Sequence, residues 1–236
     1  MGETTILTDP HFGKRVLFFP RKTPLPFPPS DLPDLSAVLL SHTHYDHLNT
    51  ASYRFVSCSV PIVVPEGTER AIGQYVPNPI IELAHYADHE LADGTRITAV
   101  PLLHRSSRLS HLRFTKSNGY LIRRPEGSCV FFCADSGYGK LFGEIGNMGK
   151  IDLALLPIGS YSPRWPMRRC HMTPAEATQA FEELKASHMV PIHHGTFLLS
   201  MEGLTKPIEW LKKILEERPD LASRIHPLEP GQSIDL

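Results

Sequence analysis

Apolar positions along this chain fall mostly in short unbroken runs. AVLLS (37–41), VPIVVP (60–65), SCVFFCAD (128–135) and DLALLPIG (152–159) are the clearest. Runs of that length, bounded by turn residues, read as strands buried on both faces. TTILTDP (4–10) is a further strand, stopped by Asp9-Pro10, and IIELA, TRITAVPLL and SNGYLIRR add more, with turns marked by Gly94 and Gly127. HMVPIHHG predicts a strand ending in histidines, and RIHPLEPGQSIDL a closing hairpin.

Helical spacing is rarer. TPAEATQAFEELKAS (173–187) predicts the clearest helix, with Thr173 as N-cap, Pro174 in the first position and Glu176 closing a capping box. LTKPIEWLKKILEERP is an amphipathic helix ended by Pro219, NTASYRFV starts a helix on Asn49 or Thr50, and EGTERAIGQY is a short one. Residues 16–33 hold six prolines and form a loop with exposed apolar groups. No linker, repeat or low-complexity tract divides the chain, so residues 1–236 read as one domain. Strands in both halves with helices between them predict two packed sheets with helices outside, an αββα sandwich.

Composition narrows the function. At 41% hydrophobic residues the chain buries a real core, and a net charge of -1 gives no sign of a nucleic-acid partner. No apolar stretch approaches the ~20 residues of a membrane span, and no signal peptide is visible. Cys58, Cys129, Cys133 and Cys170 are scattered and read as reduced residues of a cytoplasmic protein.

Thirteen histidines are more than packing requires, and their placement is informative. His42, His44, Asp46 and His47 stand in H-T-H-Y-D-H directly behind the AVLL run. A tight loop past a strand end can turn all four toward one point, and imidazole nitrogen and carboxylate oxygen are good zinc ligands. Four such groups supply parts of two sites, which need ligands from elsewhere. His104, Asp135 and either His193 or His194 each follow a predicted strand where it gives way to a polar loop. His11, His85, His111, His188 and His226 read as ordinary surface or core residues.

These residues resemble the metallo-β-lactamase superfamily, whose H-x-H-x-D-H motif is followed by further His, Asp and His ligands on an αββα sandwich. His42, His44, Asp46, His47, His104, Asp135 and His193 match in order. Within it, TILTDP, LLSHTHYDHL, FFCADSGY, DLALLPIGSYSPRWPM, HMTPAEA and IHHGTF resemble the N-acyl-phosphatidylethanolamine-hydrolysing phospholipase D group over nearly the whole chain. The I-H-x-G-T-F run favours His193 over His194 as the ligand. Relatives carry a strand pair ahead of the T-I-L-T-D-P run. The resemblance therefore implies a sandwich lacking its first N-terminal strands, through a misplaced gene start, a truncation, or a gap that a second copy covers. The segment after His104 also lacks the tryptophan-rich pattern of many relatives.

The resemblance implies two zinc ions, with manganese or iron as alternatives. His42, His44 and His104 hold the first, Asp46, His47 and His193 the second, and Asp135 bridges them. A hydroxide on the metals would hydrolyse a phosphodiester of an N-acyl-phosphatidylethanolamine-like phospholipid, with peripheral membrane contact. His171 is expected to protonate a leaving oxygen or bind the phosphoryl group, Arg164 to pair with phosphate, and Tyr161 and Trp165 to line the pocket. The alternatives are a lactonase or amide hydrolase of the ascorbate-phosphate lactonase type, and a non-hydrolytic iron or metal-binding protein.

Overall fold

The computed structural model describes residues 4–108 and 111–235. Strand β1 (Ile6–Thr8) leads into a small hairpin, β2 (Arg15–Val16) and β3 (Phe19–Pro20). Next come β4 (Ala37–Leu39), β5 (Ile62–Pro65) and β6 (Ile80–Leu83). With β1 they form a parallel sheet in the order β1-β4-β5-β6. A 3-10 helix over Thr50–Phe55 and helix α1 (Glu69–Ile72) connect these strands.

The second sheet begins with β7 (Asp88–Glu90) and two long strands, β8 (Arg96–Arg108) and β9 (His111–Arg123). β10 (Cys129–Phe132), β11 (Leu153–Pro157) and β12 (His188–Ile192) complete it in the order β12-β11-β10-β9-β8-β7. β10, β11 and β12 run parallel, and the remaining pairs are antiparallel. Helices α2 (Leu141–Gly146), α3 (Arg164–Met167), α4 (Pro174–Glu183), α5 (Lys206–Glu217) and α6 (Pro219–Ala222) lie in the second half.

Alternation along the strands produces three apolar interfaces. Val38 and Leu40 pack with Tyr53 and Ile72 beneath the 3-10 helix and α1. Ala37, Leu39 and Val63 face Ile97, Tyr120 and Phe132 across the gap between the sheets. Phe131 and Cys133 pack with Phe142, Phe181 and Leu211 beneath α2, α4 and α5. Three interfaces between four layers are the αββα sandwich predicted from the strand runs.

Some local expectations change. The predicted capping box holds: Thr173 Oγ1 accepts from Glu176 N at 3.2 Å, and Thr173 N donates to Glu176 Oε2 at 2.9 Å. The closing hairpin over RIHPLEPGQSIDL does not form among the described residues. Ile225 instead bridges Met189 beside β12, and Pro227 and Pro230 have no N–H for a ladder. The Pro-rich segment, expected to be a loop, begins within the β2–β3 hairpin, which runs from Arg15 to Pro20. His104 lies within β8 rather than at its end, in a stretch where the register against β9 shifts between Pro101 and Arg105. Such an irregularity re-aims a side chain without ending the strand.

Candidate metal centre

Seven side chains from four stretches of the chain meet at one edge of the two sheets. Past the end of β4 the chain turns tightly, with His47 N and Leu48 N both donating to the His44 carbonyl, and so presents His42, His44, Asp46 and His47 together. The second sheet supplies His104 from β8, Asp135 three residues beyond β10, and His193 directly after β12. Asp9 after β1, Ala134, Ser160 after β11 and His193 all have left-handed backbone (φ 42°, 55°, 63° and 57°). Non-glycine residues reach that region at a cost, and here it lies where strands turn their ends into the cluster.

The side chains form two sets, each able to hold one ion. In the first, His42 Nε2 and His104 Nε2 each lie 3.1 Å from His44 Nδ1, and 3.7 and 3.8 Å from Asp135 Oδ2. In the second, His47 Nε2 lies 3.3 Å from Asp135 Oδ2 and 3.6 Å from Asp46 Oδ2. His193 Nε2 completes it, 3.1 Å from Asp135 Oδ1 and 3.4 Å from Asp46 Oδ2. Each set draws two residues from the loop after β4 and two from the second sheet, and Asp135 belongs to both.

Outer hydrogen bonds decide which ring nitrogens face inward. Asp9 Oδ1 accepts from Ser41 N at 2.7 Å, and Asp9 Oδ2 accepts from Ser41 Oγ at 2.5 Å and from His47 Nδ1 at 2.7 Å. Because the Ser41 hydroxyl donates to Asp9, its oxygen accepts from His42 Nδ1 at 2.9 Å. His104 Nδ1 donates to the Cys170 carbonyl at 3.0 Å. The inward nitrogens of His42 and His104 then carry lone pairs, the form a metal ligand requires.

The electrostatics agree. Burial holds His42 well below the usual imidazole range, His44 at about 4, and His104 below its ordinary value. Burial also opposes charge on His47 and His193, but Asp135 and Asp46 outweigh it, helped at His47 by Asp9, and raise both. Asp135 is held well below the carboxylate range: burial works against this, but His193, His47 and His171 outweigh it. His47 Nε2 and Asp135 Oδ1 are buried with no hydrogen-bond partner. Lone pairs 3.1 Å apart, two carboxylates and orphaned buried donor atoms together fit divalent cations.

His171 borders both sets. Its ring centre is 5.2 Å from that of His104 and 5.7 Å from that of His193, and its Nδ1 is 3.9 Å from Asp135 Oδ2 without a hydrogen-bond partner. Burial, against the pull of Asp135, lowers its pKa to about 4, so it is neutral at pH 7. A cavity of about 240 Å³ opens beside Asp46 and His193, lined also by Asp9, His11, Arg21 and Phe197. His194 lines this cavity but joins neither set.

The three expected substrate residues sit elsewhere. Arg164 donates to the His171 carbonyl at 3.0 Å and forms an ion pair with Glu176, so its charge is already met by a carboxylate. Trp165 is 73% exposed beneath Arg168, and Tyr161 packs edge-on against Trp210 of α5. None of the three lines the cavity beside His193. The side chain of His111 lies outside the described residues. Asp9, Ser41 and Arg21 are site residues that the sequence reading passed over. Asp9 had a signal: a carboxylate ending the strand that pairs with β4.

Residues 4–194 match the profile of a Beta-lactamase superfamily domain. An uncharacterized protein of Mycobacterium tuberculosis is 33% identical over 98% of this chain and 63% of its own length. N-acyl-phosphatidylethanolamine-hydrolyzing phospholipase D 1 of Caenorhabditis elegans is 32% identical over 94% of this chain and 70% of its own. The crystal structure of a possible metal-dependent hydrolase from Veillonella parvula superposes with a TM-score of 0.80 at 14% identity, over 100% of this chain and 94% of that one. The chain thus spans under two thirds of the mycobacterial relative.

Proposed function

The chain belongs to the metallo-β-lactamase superfamily, and from that premise we propose that it is a zinc-dependent phosphodiesterase of phospholipase D type, acting on N-acyl-phosphatidylethanolamine-like phospholipids. The observation that carries this reading is the pair of ligating sets sharing Asp135. Its substrate class is supported by similarity to the worm phospholipase D and by Arg21, whose guanidinium borders the cavity, donates to the Gly13 and His11 carbonyls, and forms no ion pair with a carboxylate among the described residues.

His42, His44, His104 and Asp135 would hold one zinc, and Asp46, His47, His193 and Asp135 the other. Zinc at such a site supplies Lewis acidity and lowers the pKa of water toward ~7. The protein's own residues set the geometry around it. Asp9 and Ser41 fix the rings of His42 and His47, and the Cys170 carbonyl fixes His104. Asp46 is the ligating carboxylate that borders the cavity, so it is placed to orient water toward a bound phosphodiester. Neutral His171 offers a hydrogen bond to a phosphoryl or leaving oxygen, rather than a full positive charge. Arg21 pairs with the phosphate as a partly buried cation. Water adds to phosphorus, the ester P–O bond breaks, and the alcohol leaves with a proton, giving phosphatidic acid and an N-acylethanolamine.

The test is zinc-loaded protein on N-acyl-phosphatidylethanolamine, a neutral lactone and a β-lactam, run in heavy-oxygen water. The expected result is hydrolysis of the phosphodiester with the heavy label in phosphatidic acid, lost in Asp135→Ala. Turnover of the lactone alone would overturn the phosphodiesterase reading.

A further inference from the structure

The β2–β3 hairpin is built like an interfacial anchor. Val16 is buried against the body, while Leu17, Phe18 and Phe19 at the tip are 51%, 92% and 43% exposed. Lys14 and Arg15 precede this tip, Arg21 and Lys22 follow it, and no acidic residue occurs between Asp9 and Asp31. None of these four cations forms an ion pair among the described residues. A groove of about 600 Å³ along the hairpin's flank combines Phe12, Leu25 and Phe55 with Lys14, Lys22 and Arg54.

The hairpin is also fastened to the metal centre. Lys22 N donates to the Thr196 carbonyl at 2.8 Å, Thr23 Oγ1 donates to the Gly195 carbonyl at 2.6 Å, and Arg21 bridges Phe197. These contacts lie on the loop that begins directly after His193. Arg21 lines both the cavity beside the metal centre and the flanking groove.

We propose that the β2–β3 hairpin docks the protein on an anionic lipid surface, with Leu17, Phe18 and Phe19 entering the interface and Lys14, Arg15 and Lys22 meeting its headgroups. The charge pattern selects this occupant. A second copy would bring like cations together, whereas an anionic leaflet matches both the apolar tip and its basic flanks. Docking there brings the cavity beside Asp46 and His193 to the lipid. The purpose of the hairpin rests on the phospholipid reading above, but its binding is measured without turnover.

The experiment is cosedimentation of the full, zinc-loaded chain with vesicles of phosphatidylcholine, with or without phosphatidylglycerol. Wild type is expected to partition at least about tenfold better onto anionic vesicles, and less so at high salt. Phe18→Ser should weaken partition about tenfold. The pair Lys14→Glu and Lys22→Glu should weaken it by more than about tenfold and remove the salt dependence. Both variants should keep the wild-type melting midpoint and turnover of the soluble diester bis(para-nitrophenyl) phosphate. Equal partition of wild type onto neutral and anionic vesicles would overturn the proposal, as would binding indifferent to both variants. So would self-association of the lipid-free chain that Phe18→Ser abolishes. Docking without hydrolysis of any phosphodiester would sink the functional reading and leave the anchor standing; hydrolysis without docking would do the reverse.

Discussion

Asp9 is the residue whose role exceeds its appearance. It stands before a proline, where a strand stops, yet its carboxylate takes three hydrogen bonds that set the rings of His42 and His47. Asp9→Asn keeps the shape, removes the charge, and leaves one acceptor oxygen for the three donors on Ser41 and His47. The expected outcome is metal affinity lower by about 10–100-fold with the fold retained, measured by competition with a chromophoric chelator. Unchanged affinity would show that Ser41 and the loop suffice. Arg164 yields a second prediction. Because it holds the His171 carbonyl and Glu176, Arg164→Ala should slow phosphodiester and neutral lactone substrates alike, by ~10–100-fold through displacement of His171. A loss confined to phosphodiesters would return Arg164 to direct phosphate contact. At this scale the His and Asp cluster was legible because four ligand-type residues crowd the loop after β4, with Asp135 and His193 just past β10 and β12. The partners of Arg164 were not, since nothing local marks a carbonyl seven residues away as its acceptor.

At the scale of elements, close approach matters more than propensity. Gly159 follows β11 and lies so near the His193 carbonyl that a Cβ there would collide with backbone. Since β11 and β12 pair in register from Leu153↔His188 to Pro157↔Ile192, that collision has no flexible side chain to absorb it. Gly159→Ala should destabilise the fold by ~1–3 kcal/mol and reduce retention of metal at the set containing His193, read from thermal melting and elemental analysis. Full metal content with an unchanged melting midpoint would mean that the two strand ends separate freely. Helix α4 was legible because its start signal is local, from Thr173 through Glu176. The β2–β3 hairpin was not, because two-residue strands are too short to show a period, and the prolines around them argue for loop. His104 was placed at a strand end for a similar reason: the sequence shows a polar stretch after it, not the register shift that lets β8 continue.

For the molecule as a whole, the two sheets meet over Leu39, Val63, Ile97 and Phe132, and again at the cluster, where each ligating set has members from both halves. An ion bound only by the folded arrangement stabilises it by mass action. Stripping metal with a chelator should therefore lower the melting midpoint by roughly 5–10 °C, restored by zinc. An identical midpoint for stripped and loaded protein would show that the cluster adds nothing to the joining of the sheets. The layer architecture was legible from apolar runs, since a strand buried on both faces needs a neighbour on each side. The sharing of Asp135 has a consequence in time. A chain made from its amino end has every member of the His42 set once Asp135 has been added, whereas the other set stays one imidazole short until His193 emerges. The order of synthesis therefore ranks the two sets, and the last imidazole to arrive is the one attached to the loop that clasps the basic hairpin near the chain's beginning.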